Sequence, residues 1–493
     1  MPKMDQDLIG LLTRLSDFLT SMQSPAYIVG GLVRDWLLGR DTFDVDIAVN
    51  GDALEIAQQV ATAINGKYVL LDEANKVGRV LVVNDRNWQL DFSAFQGDIE
   101  SDLARRDFTI DAMAFELQGL INGSPELIDP FSGKSDLKKK RVRAVSEGIF
   151  QVDAARLMRA VRIAAELGFK IEPGTEALIR RDYQLAHLVP GERIREELVR
   201  IFSLVGAAAL VRYMDGLGLL ISIIPEIDDL KGVDQPKEHH WDVFNHSVET
   251  IATIEFLMRE SKWKYGKDSL LAVTPWSEDI RLHFEEEVSA GTNRSIMLKL
   301  GALLHDVAKP ATKAVDDTGR TRFLGHPKEG AAIAARVLER LRFSGRETKL
   351  VENLIYNHLR PAQMSNEGMP TGRAIFRYFR DTQGAGIDIL FLALADYLAT
   401  HGPRLDIQEW KQHNHLINFV LTEHLHQETK VLPVKLINGN DLMTIFGLKP
   451  GRLLGELLTE VREAQAAQEL STREEALDLV RRELEKRQCG LAC

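Results

Sequence analysis

Residues 29–49 read VGGLVRDWLLGRDTFDVDIAV, and the reading of the fold turns on two carboxylates placed one residue apart near the end of this stretch. In an extended segment Asp44 and Asp46 point to one face, while Phe43, Val45, Ile47 and Val49 point to the other. Two like charges side by side raise each other's pKa or destabilise the fold unless a cation lies between them. The segment is therefore a candidate seat for a metal ion. Just upstream, Gly30 and Gly31 follow the short apolar run AYIV and precede LVRDWLLG, a predicted helix whose first turn presents free backbone N–H groups and the donor fork of Arg34. A phosphate seat and a cation seat thus lie close together in the chain. Such a pair suits a triphosphate with divalent ions, and hard oxygen ligands favour Mg²⁺. Asp91, in the apolar run WQLDFSAF, is the best third carboxylate for a two-metal site. Solvated charge on an edge strand is the competing reading of these acids.

Around this stretch the chain is organised in two styles. Residues 1–27 carry a helical apolar pattern that Pro25 ends, and from there to about residue 140 the runs FDVDIAV, KYVLLD, RVLVVN, WQLDFSAF and MAFEL alternate with Gly, Asn and Asp, which predicts an α+β domain with a mixed β-sheet and helices. Beyond residue 150 amphipathic segments such as DAARLMRAVRIAAEL dominate, and the remainder is expected to be all-α. A chain of 493 residues is too long for one core. Pro-containing stretches at 225–237 and 401–407 are candidate joints, giving expected domains at 1–145, 146–235, 236–405 and 406–493. No internal repeat is evident.

Composition narrows the classes further. With 45% hydrophobic and 27% charged residues the chain reads as soluble and globular. A net charge of -11 argues against blanket coating of nucleic acid, although KKKRVR at 138–143 and the arginines of GERIREELVRIF give the centre a local basic tone. A leader-like N-terminus and a long apolar run are both missing, so a cytoplasmic protein without a membrane role is expected. Cys489 and Cys493, in the terminal CGLAC, read as free, reduced thiols.

Two further clusters carry chemistry. In QVDAARLMRAVRIAAELGF, Asp153 and Arg156 are three apart on a predicted helix and share a face. An acceptor beside a donor suits the Watson-Crick edges of cytosine and adenine and rejects uracil and guanine; a surface salt bridge is the plainer alternative. Farther on, His305 and Asp306 sit together in an apolar helical run, where a charged pair is costly unless it binds metal or is hydrogen-bonded.

GGLVRDWLLGRDTFDVDIAV and RRDFTIDAMAF resemble the two head motifs of the class II tRNA nucleotidyltransferase and bacterial poly(A) polymerase family, GGxVRDxLLG…DxD and RRDFTxNAxA. The resemblance implies a nucleotidyltransferase head (1–145), a helical neck (146–235), a metal-binding helical domain (236–405) and a tRNA-binding tail (406–493). It implies Asp44 and Asp46 as Mg²⁺ ligands, Gly30, Gly31 and Arg34 as holders of the triphosphate, and Arg105, Arg106 and Asp107 as contacts to the nucleotide's phosphates and ribose. Asp111 stands where the family usually has Asn, so an amide has become a carboxylate, and triphosphate affinity is expected to suffer if this position lies near the phosphates. The neck segment is similar to the family's EDxxR motif, which selects CTP and ATP, with Val152 in place of the Glu. His246, His305, Asp306 and Asp396 resemble the H…HD…D signature of HD phosphohydrolases and are the expected ligands of a second divalent metal of unspecified identity. His326 and His358 are additional pocket candidates, and Lys309 is expected to reach phosphate from the face of His305. LINGNDLMTIFGLKPGRLLGELLTEVREAQ and STREEALDLV resemble the family's tail.

The implied activity is addition of CCA to the 3′ end of tRNA from CTP and ATP, with no obligate protein partner. Only FSAFQGDIESDLA separates Asp91 from Arg105, where CCA-adding members often carry a longer loop, so CC addition alone is the second choice, with A addition alone ranked lower. A phosphohydrolase whose head only binds RNA is the alternative from another class. The insertion at 259–292 is the part that the resemblance explains least.

Overall fold

Asp5 opens the first helix, Gln6–Ser21, by accepting from the Asp7 amide at 2.8 Å, and Leu8, Leu11, Leu12, Leu15 and Leu19 form its buried stripe. That spacing is the helical period read from the sequence. The computed structural model describes residues 5–73, 76–82, 87–364, 368–429, 435–466 and 469–489. It comprises two compact units: residues 1–201 with 213–223, and residues 202–212 with 224–493.

In the first unit the expected mixed sheet has seven strands: β1 (Ala26–Val29), β2 (Asp44–Asn50), β3 (Lys67–Asp72), β4 (Val77–Val82), β5 (Trp88–Phe95), β6 (Ala114–Glu116) and β7 (Leu127–Ile128), in the order β3-β4-β5-β2-β1-β6-β7. β2 and β5 run parallel, and the other neighbours are antiparallel. Val45, Ile47 and Val49 are buried as their alternation requires. Phe43 departs from the expectation: it precedes the strand, is 45% exposed, and meets the edge of Trp88 at 5.3 Å. Helix Ala53–Ala63 packs on the sheet so closely that a Cβ on Gly78 would stand 2.9 Å from the Ala57 Cβ. After the sheet come helices Arg156–Leu167, Pro173–Asp182 and Gly191–Ser203, together with a small parallel pairing of Arg141–Val142 and Lys170–Ile171.

The second unit is mostly helical. Helices Val243–Leu257, Arg294–Leu304, His326–Arg340, Gly345–Asn357 and Gly386–His401 carry its metal-site candidates or flank them. Its tail helices Gly439–Phe446, Arg452–Ala466 and Arg473–Cys489 close on Leu442, Leu457, Val461 and Val480. Two hairpins, Glu287–Ser289 with Thr292–Asn293 and Lys313–Val315 with Thr321–Phe323, interrupt the helices; strands this short leave no alternation to read. The insertion at 259–292 is part of this unit. Trp276 and Phe284 pack on Phe391 with ring centroids at 6.0 and 4.9 Å, and the Trp263 Nε1–H donates to Glu249 at 2.9 Å. Cys493 and the side chain of Cys489 lie outside the described residues, so the thiol reading has no structural counterpart. No described helix is long and apolar enough to cross a membrane.

Candidate functional site

The sheet register brings the head carboxylates together. Val29 pairs with Asp46 across β1 and β2, and Asp46 pairs with Asp91 across β2 and β5. Between β1 and helix Gly31–Leu38, Gly30 takes φ +70°, and a Cβ there would lie 2.5 Å from Asp46 Oδ2 and 2.9 Å from Arg106 Nη1. This close approach to Asp46 and Arg106 is what requires glycine. The Gly31 N–H donates to Asp46 Oδ2 at 3.4 Å. Burial pushes the Asp46 carboxyl above its ordinary pKa and the Asp91 charge adds to this, against the pull of Arg106 and the Gly31 N–H. Asp44, the first residue of β2, is exposed.

Asp91 faces the site but is not free within it. Arg79, its partner in the β4 register, donates from Nε and Nη2 to its two oxygens at 2.7 Å each. Arg34 departs from expectation more sharply: its Nε and Nη2 donate to Asp35 at 3.0 and 2.9 Å, and its Nη1 to Asp111 Oδ1 at 2.7 Å. Arg105 and Arg106 both donate to Asp102, at 3.0 and 3.2 Å, and Arg105 is largely exposed. Asp107 accepts from the Phe108 amide at 2.9 Å and pairs with Arg159 Nε at 2.7 Å.

The neck pair needs a correction. Asp153 and Arg156 do not share a helix: Asp153 is extended (φ -147°) at the end of the short helix Ile149–Val152, and Arg156 begins the next one. Asp153 accepts from the Ala155 amide at 3.1 Å, which breaks the helix there, and its separation from Arg156 is 3.8 Å. Its close partner is Arg193, whose Nη1 and Nη2 donate to it at 3.0 and 2.8 Å. Arg156 Nη2 donates to the Arg105 carbonyl at 3.0 Å, linking the neck to the RRD motif. Val152 is 77% exposed and supports neither residue.

In the second unit all six histidine and aspartate candidates converge. His246 Nε2 lies 2.9 Å from Asp396 Oδ1 and 3.3 Å from His305 Nε2. Asp306 spans two groups, with Oδ2 3.2 Å from His305 and Oδ1 3.5 Å from His326, and the Nε2 atoms of His326 and His358 are 3.2 Å apart. His246, His305 and Asp396 form one set of ligand atoms within 4.8 Å of one another, and Asp306, His326 and His358 form another. These are the three-ligand groups among the described residues; the head carboxylates do not form one. The Nδ1 atoms of His305, His326 and His358 lie 2.8, 2.7 and 2.6 Å from the carbonyls of Ala302, Phe323 and Ile355, which commits each Nδ1–H outward and turns Nε2 inward. Burial lowers His246 and His326 and pushes His358 down to about 3, favouring the neutral imidazoles that bind metals. Burial also opposes charge on His305, but the neighbouring Asp306 outweighs it and its pKa lies above the ordinary value. The His305-Asp306 pair lies among buried apolar neighbours as expected, but at the end of helix Arg294–Leu304, which His305 caps, instead of inside a helix, and Lys309 reaches Asp306 Oδ2 and Gln235 Oε1, both at 2.6 Å. The donor set fits a divalent transition metal at each trio. A cavity of about 410 Å³ opens beside them, lined in part by Lys309, Arg320, Arg322, His239 and Tyr397.

Family models match along the chain: Poly A polymerase head domain at residues 26–143, probable RNA and SrmB-binding site of polymerase A at 168–231, HD domain at 243–401, and tRNA nucleotidyltransferase domain 2 at 328–480. An A-adding tRNA nucleotidyltransferase from Deinococcus radiodurans is 32% identical, with 93% of this chain and 95% of that protein aligned. The chain belongs to the tRNA nucleotidyltransferase and poly(A) polymerase family. A CC-adding tRNA nucleotidyltransferase from Geobacter sulfurreducens is also 32% identical, over 92% of this chain and 90% of its own length. The solved Thermotoga maritima CCA-adding enzyme complexed with tRNA shares the fold, at TM-score 0.62 and 22% identity, covering 98% of this chain and 96% of that one.

As a nucleotidyltransferase, the chain holds three arginines near its predicted site residues whose pairing the sequence did not reveal, Arg193 figuring in it only as part of a basic stretch. Arg79 and Arg193 act on Asp91 and Asp153 from other elements, which only register and packing reveal. Arg159 was within reach, because it follows Arg156 by one helical turn and so shares its face.

Proposed function

We propose that this nucleotidyltransferase adds CMP and AMP from CTP and ATP to the 3′ end of cytoplasmic tRNA without a nucleic-acid template, in a head that uses Mg²⁺. The observation that carries the reading is Asp46, set between the Gly30-Gly31 turn and Asp91: a phosphate-approach loop, an N-terminal helix turn and two carboxylates meet at the central strands β1, β2 and β5. Asp44 and Asp46 are the residues to hold Mg²⁺, which when bound supplies charge neutralisation of the triphosphate and acidification of the terminal hydroxyl. Gly30 and Gly31 let the triphosphate approach the backbone. Arg106, whose Nη1 lies beside Gly30 and Asp46, meets it from the other side. Asp91 joins as a third carboxylate once Arg79 releases it. In this reading Asp107 and Arg105 serve ribose and phosphate, and Asp153 with Arg156 serves the base edge.

The aligned A-adding and CC-adding relatives, together with the short segment between Asp91 and Arg105, favour a second reading in which the enzyme supplies only part of CCA. Labelled CTP alone, ATP alone and both, offered to tRNA lacking CCA and to tRNA ending in CC, separate these outcomes. Incorporation that survives Asp44→Ala refutes the head assignment.

For the second unit we propose metal-dependent hydrolysis of a phosphate ester in the cavity beside Asp306, with Lys309, Arg320 and Arg322 as phosphate contacts. Metal bound there lowers the pKa of water. Release of phosphate from nucleotide esters by wild type, unchanged in His305→Ala, overturns this reading.

A further inference from the structure

The Arg34 guanidinium is occupied on three of its donor atoms before any nucleotide arrives. Asp35 takes Nε and Nη2 at 3.0 and 2.9 Å, and Asp111 takes Nη1 at 2.7 Å. The cluster adjoins the phosphate turn, because a Cβ on Gly31 would lie 3.6 Å from Arg34 Nη2. Asp111 is 3% exposed, and its Oδ2 is buried with no hydrogen-bond partner among the described residues. Arg34 faces two carboxylates here, and Arg159, paired with Asp107, also acts on the Asp111 charge, so the fork is well oriented and its own charge is offset by the acids it holds. An asparagine can accept from Arg34 with one atom and donate with the other, whereas a carboxylate offers only acceptors, as phosphate oxygens do.

We propose that Asp111 is a positioning residue that, with Asp35, fixes Arg34 as an oriented hydrogen-bond fork and withholds its charge from the triphosphate. The inference rests on the nucleotidyl-transfer reading above. It leaves Arg106 as the cation beside Gly30 and Asp46, and it makes weak triphosphate binding a built-in property of this chain.

The test uses the full chain and inorganic tripolyphosphate as the probe, alongside steady-state nucleotide addition to tRNA. Asp111→Asn keeps an acceptor for Arg34 and removes the charge. It is expected to bind tripolyphosphate about three- to tenfold tighter and to lower the KM for CTP or ATP by a similar factor, with less change in kcat. Asp111→Ala removes both the charge and the tether; in protein shown to be folded by its melting curve, it is expected to raise KM above that of Asp111→Asn. Equal or weaker tripolyphosphate binding by Asp111→Asn overturns the proposal. If wild type adds no nucleotide to tRNA while Asp111→Asn still tightens on tripolyphosphate, the function reading falls and the role of Asp111 stands.

Discussion

Arg193 grips Asp153 through both carboxylate oxygens, at 3.0 and 2.8 Å, whereas Arg156 stands 3.8 Å away. Asp153, proposed above to read the base edge, is therefore oriented from a later helix, not by its sequence neighbour. Arg193→Ala is expected to let Asp153 turn and to reduce discrimination of CTP and ATP against UTP and GTP about tenfold, read as ratios of kcat/KM. Discrimination equal to wild type counts against the orienting role.

The same pair predicts an acid-side effect. Burial pushes Asp153 up, but the Arg193 hydrogen bonds and charge outweigh it and hold the carboxyl below its ordinary range. A carboxyl with a depressed folded pKa contributes stability above its unfolded value near pH 4 and loses it as the pH falls through the folded value. Both partners are partly exposed, so the contribution is at most about 1 kcal/mol. Melting curves below pH 5 are expected to fall less steeply for Arg193→Ala than for wild type.

Gly30→Ala places a methyl against Asp46 and Arg106 at a residue with φ +70°. The backbone alone costs about 1–2 kcal/mol. The larger effect is expected in catalysis, because Asp46 and Arg106 must move: nucleotide incorporation falls by at least about a hundredfold while the protein still folds. Incorporation within a few-fold of wild type would show that the turn does not approach the triphosphate.

The two ligand sets of the second unit predict a stepwise loss of metal. Elemental analysis of protein loaded with a divalent transition metal is expected to show one ion fewer per chain in His358→Ala and in His246→Ala, and a deficit at both positions in Asp306→Ala, whose carboxylate faces both sets. Equal metal content in the three variants contradicts the pairing of the ligands.

Asp388 is fully buried and holds Arg294 Nη1 at 2.8 Å and His283 Nε2 at 3.0 Å, tying the 259–292 insertion to helix Gly386–His401. Asp388→Ala removes the buried acceptor shared by His283 and Arg294, while Arg294 keeps Glu286 at 2.6 Å and the Gly384 carbonyl at 3.2 Å, and is expected to cost about 1–3 kcal/mol in urea unfolding, with Asp388→Asn milder. A change below 1 kcal/mol (roughly the value of an exposed pair) would mean that the insertion is held by its other contacts, such as Trp263 on Glu249 and the rings on Phe391.

Strands β1 to β6 of the head were legible as short apolar or alternating runs, while the two-residue β7 was too short to show one, and Asp44, Asp46 and Asp91 were legible because charge inside apolar runs calls for a reason. The helix break at Asp153 was not, since DAARLMRAVRIAAEL keeps its helical period across it and the break depends on one side chain accepting from Ala155. The pairing of Arg34 with Asp111 was hidden by a sequence separation of 77 residues, although the unusual carboxylate at 111 was visible. The candidate ligands of the second unit were readable in the His-Asp pattern, and the six residues do converge. The division into two sets needed the coordinates, because it depends on which oxygen of Asp306 faces which ring.

Three imidazoles of the second unit are anchored at Nδ1 by carbonyls of their own chain segments, each three residues earlier. Their rings are immobilised when the chain folds, so an arriving ion freezes few rotors. Metal uptake there is then governed by shedding the ion's hydration shell and by access through the cavity, and backbone hydrogen exchange of loaded and metal-free protein should be nearly superimposable around these helices.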